Sequence, residues 1–224
     1  MLLGAVAMLW AVDAFTALPA AVAEERGFLA ALPCTAAGAG ADRADCLHTV
    51  RATVTGTVIQ SSGREDTYRL ELSGPAPASG SLDMGSAGPL LKRLRPGDQV
   101  SVTVWRHYAT AVSQGGLTQQ TNDDPVGDPD IDTALALGSL ACGTYLLGAG
   151  GCALLGARGA AERGLPASLA PLSKATAGAA LAAWPACLAG VGWGGPVTVA
   201  AAWLVMLPVI GWIVAVRERG AGRR

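Results

Sequence analysis

The sequence predicts an α-helical membrane protein with three to four transmembrane helices and a small extracytoplasmic β-rich domain. Only 15% of the 224 residues are charged, against about 25% in a typical soluble protein. Most of the charged residues fall within residues 24–132, which leaves long uncharged stretches on either side. Within that region, apolar and polar residues alternate with the period of two that is typical of half-buried strands.

The first segment, residues 1–23, is long and apolar enough to cross a bilayer. It is either an uncleaved signal-anchor helix or a cleaved signal peptide, because residues 21–23 read Ala-Val-Ala, a small-x-small cleavage pattern. Asp13 lies near its middle, where a carboxylate costs roughly 2.5–3.5 kcal/mol. Asp13 is therefore a candidate intramembrane polar site.

A neighbouring helix offers a structural alternative for Asp13. Hydroxyl groups of the second apolar stretch could hydrogen-bond a carboxyl group there, namely those of Ser139, Thr144 or Tyr145. On that interpretation Asp13 is a satisfied polar group with no functional role.

Residues 24–49 form a lead-in to the β domain and contain the cysteines Cys34 and Cys46. These are the only two thiols in the segment predicted to lie outside the cytoplasm, where disulfides form and persist. We expect them to pair, with a stabilisation of up to roughly 3 kcal/mol. The three remaining cysteines lie in predicted membrane segments and are expected to act as small packing residues. They are Cys142, Cys152 and Cys187.

The β domain is predicted to cover residues 50–121. Alternating patterns predict strands over 50–58, 67–72 and 100–105, and shorter strands over 81–84 and 110–113. The Ser-Ser-Gly sequence at residues 61–63 predicts a hairpin between the first two. Leucines spaced within residues 89–94 predict a short helix that ends before a Pro-Gly turn.

The segment LRPGDQVSVTVW, residues 94–105, resembles the Gly-Asp turn and Val-x-Val-x-Val strand of small OB-like barrels. A β domain placed between transmembrane helices is similar to the arrangement in uncharacterised bacterial membrane proteins such as the DUF3592 group. It also resembles the barrels of NfeD-type membrane proteins, although those follow the helices. The resemblance covers residues 50–121 and implies no residue role. An open β-sandwich fragment is the alternative fold.

Residues 122–132 are acidic and contain two prolines, which predicts an extended linker. Three aspartates alternate as at the start of an EF-hand loop, but Thr133 and Ser139 occupy the positions that require glycine and glutamate. No metal site is therefore expected here. The three aspartates are Asp128, Asp130 and Asp132.

Three further transmembrane helices are predicted over residues 133–156, 175–192 and 197–216. The loop at 157–174 and the tail at 217–224 carry the basic residues that flank these spans. Because lysine and arginine mark cytoplasmic segments, both are predicted to be cytoplasmic. The protein is therefore expected to be a multi-pass plasma membrane protein with residues 24–132 extracytoplasmic.

The sequence contains few candidate catalytic residues. The two histidines, His48 and His107, belong to no recognised catalytic or metal-binding motif, so neither an enzyme nor a cofactor is expected. Instead, residues 105–108 form a cluster that predicts an exposed contact surface for lipid headgroups or a protein partner, with strand-end packing as the alternative. The cluster consists of Trp105, Arg106, His107 and Tyr108.

The functional prediction is a non-enzymatic protein of the bacterial cell envelope whose outside β domain is a binding or scaffolding module. Its expected partners are the lipid bilayer and another envelope or membrane protein, and no basic stripe points to nucleic acid. The alternative is a small transporter or channel, or an accessory subunit of a membrane complex. Glycine-rich helices with internal prolines keep that alternative open.

Overall fold

The computed structural model describes residues 1–34, 45–61, 63, 66–155 and 169–221. The chain divides into two compact units. The first contains Met1–Ala23 and Gly127–Arg224, and the second contains Glu24–Val126. The first unit is helical, and the second contains the sheet together with the last turns of the first helix.

Four long helices are present among the described residues: α1 (Leu2–Leu29), α2 (Asp128–Leu155), α3 (Leu169–Trp193) and α4 (Gly195–Ala221). At 1.5 Å per residue they are about 37–42 Å long. All four are long and apolar enough to cross a membrane. The prolines inside α1, α3 and α4 do not end these helices.

The helices are longer than the sequence predicts, and α3 and α4 include residues 169–174 of the predicted loop and 217–221 of the predicted tail. Helix α1 continues past residue 23 to Leu29. Helix α2 begins at Asp128, so the second half of the predicted extended linker is helical. The prediction was wrong because a proline is tolerated in the first turn of a helix, where its missing N–H leaves no bond unmade. Aspartates in that turn also interact favourably with the helix dipole.

Helices α2, α3 and α4 pack through a face of small residues. Ala179, Ala183 and Ala186 are buried there against Val199 and Trp203. The Trp203 indole N–H donates to the Ala179 carbonyl oxygen at 2.7 Å. Small side chains allow the helix backbones to approach closely, which is a principal source of attraction between helices in lipid.

The second unit is built on one six-stranded antiparallel sheet. Its strands are β1 (His48–Ser61), β2 (Asp66–Ser73), β3 (Gly80–Asp83), β4 (Gln99–Trp105), β5 (Tyr108–Gln114) and β6 (Leu117–Gln120), in the spatial order β3-β2-β1-β4-β5-β6. Residues 48–53 of β1 pair with β4 and residues 53–61 pair with β2, and a register shift interrupts the pairing with β2 between Val54 and Gly56. One strand therefore serves both halves of the sheet.

The core of this unit lies on one face of the sheet. Alternate residues such as Val54, Leu70 and Val102 are fully buried, as the period-two pattern predicts. The predicted short helix is a single 3₁₀ turn over Leu91–Arg93, and its neighbour Leu90 is also buried in this core. The predicted hairpin of the first two strands is confirmed, whereas β6 was not predicted.

The sheet is open, so the predicted OB-like barrel is not confirmed. No strand ladder joins the edge strands β3 and β6 within the described part of the chain. Their ends meet at one backbone bond, in which Asn122 N donates to the Asp83 carbonyl oxygen at 2.7 Å.

Candidate functional site

The segment after α1 is tied to the start of the sheet. Cys34 and Cys46 form a disulfide bond, as predicted. Next to it, Cys34 N donates to the Leu47 carbonyl oxygen, and Leu47 N donates to the Leu32 carbonyl oxygen, both at 2.9 Å. The covalent and backbone links together fix the entry of the chain into β1.

The predicted contact surface at residues 105–108 is only partly exposed. Trp105 is the last residue of β4 and is fully buried, Tyr108 is half-buried, and Arg106 and His107 are exposed at the hairpin turn. The prediction is therefore wrong for Trp105. The reason is that the last turn of α1 covers it: the Phe28 ring meets the Trp105 ring edge-on, with centroids 5.5 Å apart.

Arg106 closes this cluster from the solvent side. Its guanidinium carbon lies 4.3 Å from the centre of the Trp105 ring, a cation–π arrangement. Its Nε lies 2.8 Å from Asp45 Oδ1, and its Nη1 lies 3.9 Å from Glu24 Oε1. We call Phe28, Trp105, Arg106 and Tyr108, with Glu24 and Asp45, the Trp105 cluster. Two carboxylates thus surround one guanidinium.

The electrostatic environment of the cluster indicates a structural role. Burial, followed by the charge and hydrogen bond of Glu24, raises the pKa of Tyr108 above its ordinary value. Burial also raises the pKa of Asp124, and the nearby Glu25 carboxylate adds to that effect. The evident role of the cluster is to hold the last turn of α1 against the β4–β5 hairpin.

Arg106 has a φ of 53°, in the left-handed region that non-glycine residues rarely adopt. We predict that Arg106→Ala destabilises the protein by about 1 kcal/mol more than Arg106→Gly, because only alanine keeps the backbone penalty of that region. Both variants lose the ion pairs and the indole contact, so the difference isolates the backbone. Thermal unfolding of the full-length protein in detergent measures it, and equal melting temperatures would contradict the prediction.

A polar cleft of about 440 Å³ runs beside the edge strand β6. The sequence does not indicate this cleft, because a strand of four residues is too short to show alternation. The cleft is lined by Ser86, Gly88, Pro89, Thr118, Gln119 and Gln120. Thr118 and Gln120 are exposed, while Gln119 between them is buried.

Gln119 makes the floor of the cleft rigid. Its Oε1 accepts hydrogen bonds from Leu90 N at 2.8 Å and Leu91 N at 3.0 Å. Its Nε2 donates to the Ser86 carbonyl oxygen at 2.9 Å and to the Met84 carbonyl oxygen at 3.3 Å. The side chain thereby connects β6, the 3₁₀ turn and the loop after β3.

The backbone of β6 offers hydrogen-bonding groups to this cleft. Thr121 N donates inward to the Thr110 carbonyl oxygen, and Asn122 N donates outward to Asp83. Inward and outward groups alternate along an antiparallel strand. It follows that the N–H and C=O groups of Thr118 and Gln120 point away from β5, toward the open edge.

Two aspartates in or near the membrane helices have different surroundings. Asp13 is exposed on α1, and none of the described residues forms a hydrogen bond or ion pair with its carboxylate. Thr144, one predicted partner, donates to the Leu140 carbonyl oxygen instead. Asp130, expected in a solvated linker, is 4% exposed and packs beside Gly190.

The described residues contain no group of three or more His, Cys, Asp and Glu side chains that could hold a metal ion. The chain was also compared with protein-family models, with curated proteins and with solved structures, and none of them matches it.

Proposed function

We propose that this chain is a non-enzymatic integral membrane protein of the bacterial cell envelope, whose OB-like β domain binds an extended segment of another envelope protein along β6. Membrane integration is supported by four helices of spanning length and composition. An extracytoplasmic β domain is supported by the basic residues of the loop and tail. The Cys34–Cys46 bond adds support, because disulfides persist in oxidising compartments.

We infer that residues 1–23 remain attached as an anchor. Helix α1 continues without a break through the small-x-small sequence to Leu29, and its last turn packs on Trp105 through Phe28. Signal peptidase acts on extended segments, which a continuous helix does not offer. Mass spectrometry of the mature protein measures this directly, and a chain that begins at Glu24 would overturn the inference.

The open edge of β6 is the observation that carries the binding role. An exposed edge strand is a template for an added strand, with main-chain bonds giving affinity and flanking pockets giving specificity. Thr118 and Gln120 present outward backbone groups, and the cleft beside them is polar and has a rigid floor. An extended polypeptide matches this combination in shape and in hydrogen-bonding pattern.

In vivo photo-crosslinking of the full-length protein tests the proposal. A photoreactive residue at Gln120 is expected to give a discrete adduct with one envelope protein, whereas the same residue at Arg69, exposed on β2, is not. Thr118→Pro should abolish the adduct, because proline removes the outward N–H and is tolerated on an edge strand. Thr118→Val keeps that N–H and should keep the adduct.

Three results would overturn the proposal. They are the absence of a discrete adduct at Gln120 in normally expressed protein, an equal adduct at Arg69, and an adduct that survives Thr118→Pro. The first result would show that no partner lies at this edge. The second would show that the contact is not specific to β6, and the third would show that the partner does not bind by adding a strand.

A further inference from the structure

A cavity of about 380 Å³ lies between α3 and α4, near the start of α3 and the end of α4. One side of its lining is apolar, and the other side carries three charged residues. The apolar side is formed by Gly178, Ile210, Ile213 and Val214. The charged side is formed by Lys174, Arg217 and Glu218. Such a lining matches a molecule that is itself divided into a charged part and an apolar part.

The charged side has an excess of one positive charge. Lys174 Nζ lies 2.6 Å from Glu218 Oε1, so these two residues neutralise each other. The Arg217 side chain is exposed and forms no ion pair with any residue in the described part of the chain. Its guanidinium group is free to bind an anion, and guanidinium geometry suits a phosphate in particular.

The cavity lies at the depth where headgroups meet hydrocarbon. The uncharged run of α4, residues 197–216, ends directly before Arg217, and its twenty residues cover about 30 Å, the thickness of the hydrocarbon core. Ile210 lies about 10 Å deeper than Arg217 along the helix. The charged side is thus at the headgroup level, and the apolar side faces the first methylenes of the acyl chains.

We propose that this cavity binds an anionic glycerophospholipid. The headgroup phosphate binds Arg217 and lies beside Lys174, and one acyl chain packs along Ile210, Ile213 and Val214. At the deep end of the cavity, the missing side chain of Gly178 lets Ile210 pack closely against α3. The inference rests on the membrane integration stated above and is independent of the binding role of the β domain.

Native mass spectrometry of the full-length protein in detergent tests this site. The probes are phosphatidylglycerol, phosphatidylcholine with the same acyl chains, and inorganic phosphate. We expect phosphatidylglycerol to bind about fivefold or more tightly than phosphatidylcholine, with one lipid per chain, and Arg217→Gln to remove that preference. Arg219→Gln removes the same charge two residues further on, outside the cavity lining, and should leave the preference within about twofold of the original.

A second variant tests the apolar side. Ile213 is 41% exposed, so Ile213→Trp can place its larger side chain in the cavity without crowding the helix interface. It should weaken the binding of phosphatidylglycerol while leaving the melting temperature unchanged.

Equal loss in Arg217→Gln and Arg219→Gln would overturn the proposal in favour of general attraction to the basic tail. Equal binding of both lipids, an unchanged preference in Arg217→Gln, full binding in Ile213→Trp, or competition by inorganic phosphate alone would also overturn it. Carbonate extraction of membranes distinguishes a failure of the lipid-binding proposal from a failure of the proposal that the chain is an integral membrane protein. A chain released into the soluble fraction contradicts the proposed function itself.

Discussion

Gly190→Ala is expected to destabilise the helical unit by about 3 kcal/mol, at the upper end of the effects of overpacking. A Cβ atom at this position of α3 would clash with Val199 Cγ2 and lie 3.2 Å from the Asp130 carboxyl carbon. Val199 is fully buried and has no space to retreat into. The clash should therefore separate α3 from α4 or displace the first turn of α2.

The matched control is Gly192→Ala, two residues further along α3. A Cβ atom there meets nothing within 4 Å, so this variant should be neutral or more stable by up to about 1 kcal/mol through helix propensity. The measurement is thermal unfolding of the full-length protein in detergent, followed by tryptophan fluorescence. Equal melting temperatures for the two variants would show that α3 and α4 are less tightly packed than described.

Gln119→Leu is the second substitution with a large expected effect, a loss of about 3 kcal/mol or more in the free energy of unfolding of the β domain. Leucine has nearly the same volume but cannot hydrogen-bond, so it leaves the Leu90 and Leu91 N–H groups without their acceptor. Each buried polar group left unsatisfied costs roughly 1–3 kcal/mol. The Met84 and Ser86 carbonyl oxygens lose their donor as well.

Gln120→Leu serves as the control, because the neighbouring side chain is exposed and its replacement should change stability by less than about 0.5 kcal/mol. The two variants are compared by urea unfolding of the full-length protein, followed by the change in tryptophan fluorescence as Trp105 becomes exposed. If Gln119→Leu unfolds at the same urea concentration as Gln120→Leu, water replaces the amide in the cleft and the floor is not rigid.

Local patterns predicted most of the elements, because each reports directly on burial. The alternation at residues 50–58 and 100–105 corresponds to β1 and β4, and the uncharged runs correspond to α2, α3 and α4. The disulfide followed from the small number of thiols in one segment. In each of these cases a single stretch of sequence contains all the information required.

The features that the sequence did not predict depend on contacts between distant residues. The burial of Trp105 depends on Phe28, which lies far away in the chain. The role of Gln119 depends on backbone groups of residues 84–91, and a lone glutamine in a short polar strand carries no signal of them. The close approach of Gly190 to Val199 requires the helix packing itself.

The division of β1 between two partner strands has a consequence for the order of folding. Over residues 53–61, β1 forms a local hairpin with β2, but residues 48–53 pair with β4, and the bond from Gln99 to Thr53 joins residues 46 positions apart. Pairing between strands so far apart in the sequence is slow relative to formation of a local hairpin. During synthesis the β1–β2 hairpin can therefore form while the other edge of β1 stays unpaired, and that edge is open to wrong pairing until β4 has been synthesised as far as Trp105.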